Sequence, residues 1–229
     1  MKLPDKKILV TGGNGTLGRH IVPLLKKEEA VVMHPSSREW DITEDKFPNR
    51  LQVPHKPDII IHAAAYTNVP AAEVDRYECV KTNVYGTETV SKLAKECKAK
   101  LVYISSDYAN VHEKGFYAWS KLAGESFVGK SGMIIRTSFK ERGTWGEGKL
   151  EKVFHPVHTN ADWVDIIAQK IVEAICLELK GIVNIGTKAK LLKDLAVQDY
   201  PDVIEFPVEK ADKLLGYHYP RDCRMELTI

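Results

Sequence analysis

Tyr117-Ala118-Trp119-Ser120-Lys121 sets a phenol and a primary amine four positions apart. On a helix two such side chains share one face. The Lys121 ammonium then stabilises the Tyr117 phenolate and lowers its pKa from about 10, so the phenol can pass a proton at neutral pH. Pairs of this kind are common on exposed helices. Here Ser105-Ser106-Asp107-Tyr108 sets the pair apart, because it follows the apolar run Leu101-Val102-Tyr103-Ile104 and so stands at the C-terminal end of a strand. Open α/β sheets bind their ligands at such ends. The Ser106 hydroxyl can hydrogen-bond a substrate carbonyl there while Tyr117 protonates it.

Near the start, Thr11-Gly12-Gly13-Asn14-Gly15-Thr16-Leu17-Gly18 contains the spacing G-x-x-G-x-x-G. It follows the short apolar run Ile8-Leu9-Val10 and opens a stretch in which Leu17, Ile21, Leu24 and Leu25 recur at helical spacing. Gly12 permits the tight turn, Gly15 lets the backbone approach a pyrophosphate, and Gly18 lets the helix pack on the sheet. Together with Asn14, Thr16 and Leu17 they form a dinucleotide-binding loop in which the free N–H groups of the helix start face the phosphates. An acid about twenty residues on would hold the ribose hydroxyls of NAD. That position reads His34-Pro35-Ser36-Ser37-Arg38, with no carboxylate before Glu39 and Asp41. Ser36, Ser37 and Arg38, assisted by Arg19, suit a 2′-phosphate and favour NADP, with NAD the alternative.

These groups need a scaffold. Strand-like runs at Ala30-Val31-Val32-Met33, Asp58-Ile59-Ile60-Ile61-His62 and Met133-Ile134-Ile135 join the two already named. Helical stretches separate them: one that ends near Cys97, one over 118–128, and one carrying Ile166, Ile167, Ile171, Ala174 and Ile175 before Ile182-Val183-Asn184-Ile185. Near-continuous apolar strands between helices predict an α/β fold, a doubly wound parallel sheet of the Rossmann type covered on both faces. Pro23 falls inside the first helix, where it costs about 3 kcal/mol unless a kink absorbs it. Residues 140–160 read as loop with room for one short element, and two short helical pieces are expected near 191–197 and 208–215. The chain is predicted to be one domain over 1–229, with residues 139–165 and 187–229 forming a small substrate-side lobe.

Composition narrows the function. The 229 residues carry 33 Lys and Arg against 31 Asp and Glu, a net charge of +2, which leaves no broad basic surface for nucleic acid. No apolar run approaches the roughly eighteen residues of a membrane span, and the first residues do not resemble a signal-peptide core. Cytoplasmic residence is the expectation. Cys79, Cys97, Cys176 and Cys223 lie far apart and read as free thiols. His155 and His158 bracket Pro156-Val157 without further ligands at metal spacing, so no metal site is expected.

The glycines, the strand-end serine and Tyr117-x-x-x-Lys121, in this order, resemble an extended short-chain dehydrogenase/reductase. The finer resemblance is to the dTDP-4-dehydrorhamnose reductase branch. It rests on Ala63-Ala64-Ala65-Tyr66-Thr67, Asp41-Ile42-Thr43, Ser105-Ser106-Asp107-Tyr108, Lys121-Leu122-Ala123-Gly124-Glu125, Arg136-Thr137-Ser138 and Pro220-x-Asp222-Cys223-x-Met225-Glu226. It implies an NAD(P)-dependent reductase of a nucleotide-linked 4-keto-6-deoxysugar. Ser106 would orient the substrate oxygen and Tyr117 would be the general acid/base. Lys121 would tune Tyr117 and bind the nicotinamide ribose, while Ala63, Ala64, Ala65 and Tyr66 line the cofactor groove and Asp41 and Ile42 flank adenine. Asn83 resembles the superfamily's helix asparagine, and a homodimer is the assembly that the relatives suggest.

Two segments are shorter than in that branch, the eleven positions from Ser106 to Tyr117 and the stretch from Arg136 to Asp162. A pocket that is open, reduced or completed by another subunit follows. Two rival functions stay in play. A nucleotide-sugar epimerase or dehydratase of the same superfamily could recruit Asp107 as its acid. A non-catalytic NADP-binding regulatory subunit is the other, since the branch also resembles the regulatory β subunit of methionine adenosyltransferase.

Overall fold

A computed structural model describes residues 3–44, 56–111, 115–143, 145, 152–215 and 217–229. Part of the loop expected over 140–160 therefore lies outside the described residues. The apolar runs form a parallel sheet of β1 (Lys7–Thr11), β2 (Val31–Met33), β3 (Ile59–His62), β4 (Lys100–Ile104), β5 (Met133–Arg136) and β6 (Gly181–Asn184). Across the sheet the strands run β6-β5-β4-β3-β1-β2. The chain thus turns first to one side of β1 and then to the other, and this reversal opens a crevice at the C-terminal strand ends.

Alternation along each strand assigns its side chains to the two faces. Ile8, Val10, Ile59, Ile61, Val102 and Ile104 join the core under the helices Thr16–Lys27 (α1) and Val164–Cys176. Their neighbours Leu9, Ile60 and Leu101 pack on the opposite face with Val90 and Ala94. Pro23 is exposed, and α1 runs through it to Lys27, so the carbonyl that loses its partner lies on the solvent side. The expected doubly wound parallel sheet is the observed one.

The helical stretch that ends at Cys97 is several pieces. α2 (Val69–Val74) starts where the Asn68 side chain accepts from the Ala71 N–H, and α3 (Arg76–Val80) starts where Asp75 accepts from Glu78 N–H. Asx caps end one helix and begin the next. A wide π-turn over Lys81–Tyr85 leads into α4 (Gly86–Cys97). The next helix, α5 (Phe116–Glu125), begins two residues before the expected position, so Tyr117 lies in its first turn. The helix Val164–Cys176 is α6.

After β5 the expected loop contains short strands. Phe139–Lys140 pairs with Asp162–Trp163, Lys152–His155 with Ile204–Pro207, and His158–Thr159 lies between Lys190–Leu191 and Asp222–Cys223. α7 (Leu192–Ala196) and α8 (Ala211–Leu215) cover them. Val153, Val157, Leu192, Ala196, Val208 and Ala211 form a cluster of their own, apart from the two sheet cores. Among the described residues no helix is long and apolar enough to cross a membrane.

One buried ion pair pins the functional end of the sheet. Arg136, at the end of β5, donates from Nε and Nη2 to the two carboxylate oxygens of Glu125 at 2.9 and 2.7 Å. Ser105 donates to the same carboxylate at 2.6 Å, and Arg136 Nη1 donates to Asn110 at 2.8 Å. The strand ends, the turn after β4 and the last turn of α5 are therefore tied to one fork. Removing one partner of a buried pair leaves the other charge uncompensated. Glu125→Ala is expected to cost about 3–5 kcal/mol of folding stability, read as a lower urea midpoint at unchanged slope.

Candidate active site

The glycine loop turns where only glycine fits. Gly12 has φ +69°, and a Cβ there would stand 2.6 Å from the Ala64 nitrogen; a Cβ on Gly18 would stand 2.2 Å from the Gly12 carbonyl oxygen. The loop is thus pressed against the end of β3 on one side and against its own helix on the other. Gly15 leads into α1 with no side-chain cap, and the first turn carries no acidic residue. The helix start keeps its unpaired N–H groups and the positive end of its dipole for an anion.

Beside the loop lies a buried polar chain. Thr87 donates its hydroxyl hydrogen to the Asn83 carbonyl at 2.7 Å, so it accepts from His62 Nε2 at 3.0 Å. His62 Nδ1 is then the acceptor for the Thr11 hydroxyl at 2.7 Å. Desolvation, with the Lys121 charge adding to it, lowers the His62 pKa to about 3 and keeps the ring neutral. Asn83 continues the chain: its side chain accepts from Tyr66 N–H and donates to the Tyr66 carbonyl and to the Ser120 hydroxyl. Ser120 in turn donates to the Tyr117 carbonyl.

A crevice of about 900 Å³ runs from the glycine loop to the end of β4. Ser106, Tyr117 and Lys121 all line it, so the structure brings the three together. Ser106 accepts from Tyr108 N–H and donates to the Asp107 carboxyl, both at 3.2 Å. Lys121 is 2% exposed, and its Nζ lies 4.3 Å from the centre of the Tyr103 ring.

The charge states differ from those expected. Desolvation raises the Tyr117 pKa well above its ordinary value, and the Asp107 carboxylate adds to the rise, while a hydrogen bond with Ser106 opposes it. Desolvation brings Lys121 down to about 7, against the pull of Glu125 and Cys79. The lysine therefore does not depress the phenol, because burial weakens the cation that was to do it. Asp107 is likewise pushed up to about 7 by desolvation, against its hydrogen bonds and Lys140.

The family model described as RmlD substrate binding domain matches residues 6–167. The chain belongs to this family. A dTDP-4-dehydrorhamnose reductase of Mycobacterium tuberculosis (strain CDC 1551 / Oshkosh) is 28% identical over 165 residues, 63% of this chain and 53% of the relative. The one from Aggregatibacter actinomycetemcomitans is 28% identical over 184 residues, 72% of this chain and 61% of the relative. The chain thus spans between half and two thirds of the length of these relatives. The crystal structure of dTDP-4-dehydrorhamnose reductase from Bacillus anthracis str. Ames in complex with NADP superposes with a TM-score of 0.82 at 24% identity, covering 98% of this chain and 90% of that one. This likeness establishes the shared fold.

Within this RmlD-family crevice, Gly12, Asn14, Gly15, Thr16, Leu17 and Gly18 line one end, with Ser36, Ser37, Asp41 and Ile42 beside them and Ala63, Ala64 and Ala65 along the floor. Arg38 and Tyr66 are not among the lining residues. Arg38 is exposed, and the Tyr66 backbone is held by the Asn83 side chain. Arg19, expected to assist a phosphate, bonds Glu141 at 2.8 Å. His155 Nε2 stands 3.5 Å from a Glu205 carboxylate oxygen, and among the described residues no three His, Cys, Asp or Glu gather as a metal site. Sequence reasoning missed Lys140, which lines the crevice, and the role of His62. The one signal for the latter was a polar residue closing three isoleucines.

Burial of Lys121 has a thermodynamic signature. Its folded pKa of about 7 lies below the ordinary 10.5. The penalty is complete below pH 7, where both states are charged, and fades as the pH rises toward the unfolded value. Lys121→Met is therefore expected to raise the melting temperature of the ligand-free protein most at pH 6–7, with the gain shrinking steadily toward pH 10. Thermal melts across this range provide the check.

Proposed function

We propose that the chain is an NADP-dependent reductase of the 4-keto group of a nucleotide-linked 6-deoxysugar, with NAD the alternative cofactor. The observation that carries this reading is the convergence of Ser106, Tyr117 and Lys121 on the crevice that begins at the glycine loop. The residues fit a dinucleotide. The uncapped start of α1 suits its phosphates. At the other end, the Thr137 hydroxyl is buried and has no hydrogen-bond partner among the described residues, as expected of a group reserved for a polar ligand atom.

The bound cofactor supplies a hydride to the carbonyl carbon. Ser106 holds the carbonyl oxygen, and Tyr117, kept protonated by its raised pKa, delivers its proton to that oxygen. Lys121 starts near neutrality and becomes a firm cation once an anionic neighbour raises its pKa, which stabilises the phenolate left behind. The resemblance also carries Lys121 to the nicotinamide ribose and Asp41 and Ile42 to adenine. The layer built by residues 139–165 and 187–229 is the substrate side. Cytoplasmic residence enters this reading as the expectation from composition, and a homodimer through the resemblance.

Purified protein mixed with NADPH and a dTDP-4-keto-6-deoxyhexose is expected to oxidise the cofactor. Tyr117→Phe should lower turnover roughly 10²–10⁴-fold with NADPH affinity retained; an unchanged rate rejects the mechanism. The buried Asp107 carboxyl beside Ser106 favours an epimerase or dehydratase as the second reading. Conversion of the sugar without net NADPH oxidation would select it, whereas tight NADPH binding without turnover would select the regulatory subunit.

Cofactor choice has its own test. Glu39 accepts from both the Ser36 N–H and the Ser36 hydroxyl, at 2.8 and 2.7 Å, and so occupies the donors that a 2′-phosphate needs. Glu39→Ala releases them and removes a like charge. It is expected to tighten NADPH by about fivefold relative to NADH, measured by fluorescence titration.

A further inference from the structure

The crevice contains a cation that neither cofactor binding nor proton transfer uses. Lys140 ends the two-residue strand Phe139–Lys140, which is fixed by its pairing with Asp162–Trp163. Successive side chains of an extended segment point to opposite sides. Glu141 accordingly faces the start of α1, where it bonds Arg19 at 2.8 Å. Lys140 faces the small layer: its Nζ is 5.2 Å from the centre of the Trp145 ring, and Asp107 and Cys223 are the titratable groups acting on it. It lines the crevice with Ser106, Asp107, Tyr108 and Tyr117.

Among the described residues no carboxylate lies within ion-pair distance of Lys140 Nζ. An ammonium that is half out of water needs a counter-charge. A ring face and a carboxyl beyond contact distance supply part of it, and among the described residues its three N–H donors have no acceptor. Desolvation lowers the Lys140 pKa, with Asp107 and Cys223 holding it back. The neighbouring Asp107, pushed up to about 7, is protonated in a large share of molecules at neutral pH and can donate to an incoming anion.

We propose that Lys140 is a specificity-determining residue that binds an oxyanion of the substrate docked over Ser106 and Tyr117. The oxyanion is either a carboxylate on the sugar ring or the diphosphate of a sugar nucleotide. The inference rests on the reductase reading above: the diphosphate keeps its 6-deoxysugar, whereas the ring carboxylate replaces that sugar with a uronate.

The test uses the whole chain loaded with NADPH and titrates UDP-glucuronate and UDP-glucose by calorimetry into wild type, Lys140→Met and Lys140→Arg. Lys140→Met should weaken UDP-glucuronate by about tenfold or more, the worth of one charge-assisted hydrogen bond, and Lys140→Arg should retain most of the affinity. Equal weakening of UDP-glucose identifies the diphosphate as the oxyanion; unchanged UDP-glucose identifies the ring carboxylate. Affinities of Lys140→Met within about twofold of wild type for both ligands, or a wild type that binds NADPH but neither sugar nucleotide, overturn the assignment. Failure of wild type to bind NADPH overturns the reductase reading itself. Matching thermal melts of the three proteins separate lost binding from lost folding.

Discussion

The Thr11–His62–Thr87 hydrogen-bond chain joins the parts of the molecule that must stay in register. Thr11 ends β1 just before the glycine turn, His62 ends β3, and Thr87 lies in the first turn of α4. Because Thr87 gives its only hydroxyl hydrogen to Asn83, the tautomer of His62 is fixed, and with it the direction of every bond in the chain. A buried ring that stays neutral needs no counter-ion, and a fully satisfied buried network rigidifies what it touches. Through Asn83 and Ser120 the same chain reaches the backbone of Tyr117. The glycine turn and the helix that carries the phenol are therefore positioned by one continuous set of hydrogen bonds.

Burial also holds the groups around the phenol close to zero charge. Desolvation pushes Tyr117 and Asp107 toward their protonated forms and His62 and Lys121 toward their neutral ones. Four titratable groups of different chemistry all move toward zero charge, which identifies burial as the shared cause rather than any one partner. The phenol is thus held as an acid, able to give a proton to an acceptor in the crevice.

Much of this was legible in the sequence, for identifiable reasons. Ile59-Ile60-Ile61 and Leu101-Val102-Tyr103-Ile104 are strands buried on both faces, so their composition reveals them without any knowledge of the fold. The glycine spacing is legible because the close approach of Gly12 to Ala64 and of Gly18 to Gly12 excludes every other side chain. The effect of Lys121 on Tyr117 was misjudged because an i,i+4 spacing reports proximity and says nothing of desolvation. The strands after β5 were missed because their partners lie far along the chain: Lys152–His155 is completed by Ile204–Pro207, and runs of two to four residues carry no period of their own.

Those late strands explain how so short a layer after β5 can still be ordered. Its apolar cluster is small, and polar staples fasten it to the sheet. Asn160 donates to the Thr187 carbonyl and accepts from Met225 N–H, while Asp162 accepts from Thr187 and Lys190, each at 2.6 Å. These bonds gather the segment after β5, the segment after β6 and the C-terminal segment at one point. Asp162 also begins the strand paired with Phe139–Lys140. The staple that compensates for a thin core therefore also sets the register of Lys140, so the ordering of the small layer and the charge it presents to the crevice have a single structural cause.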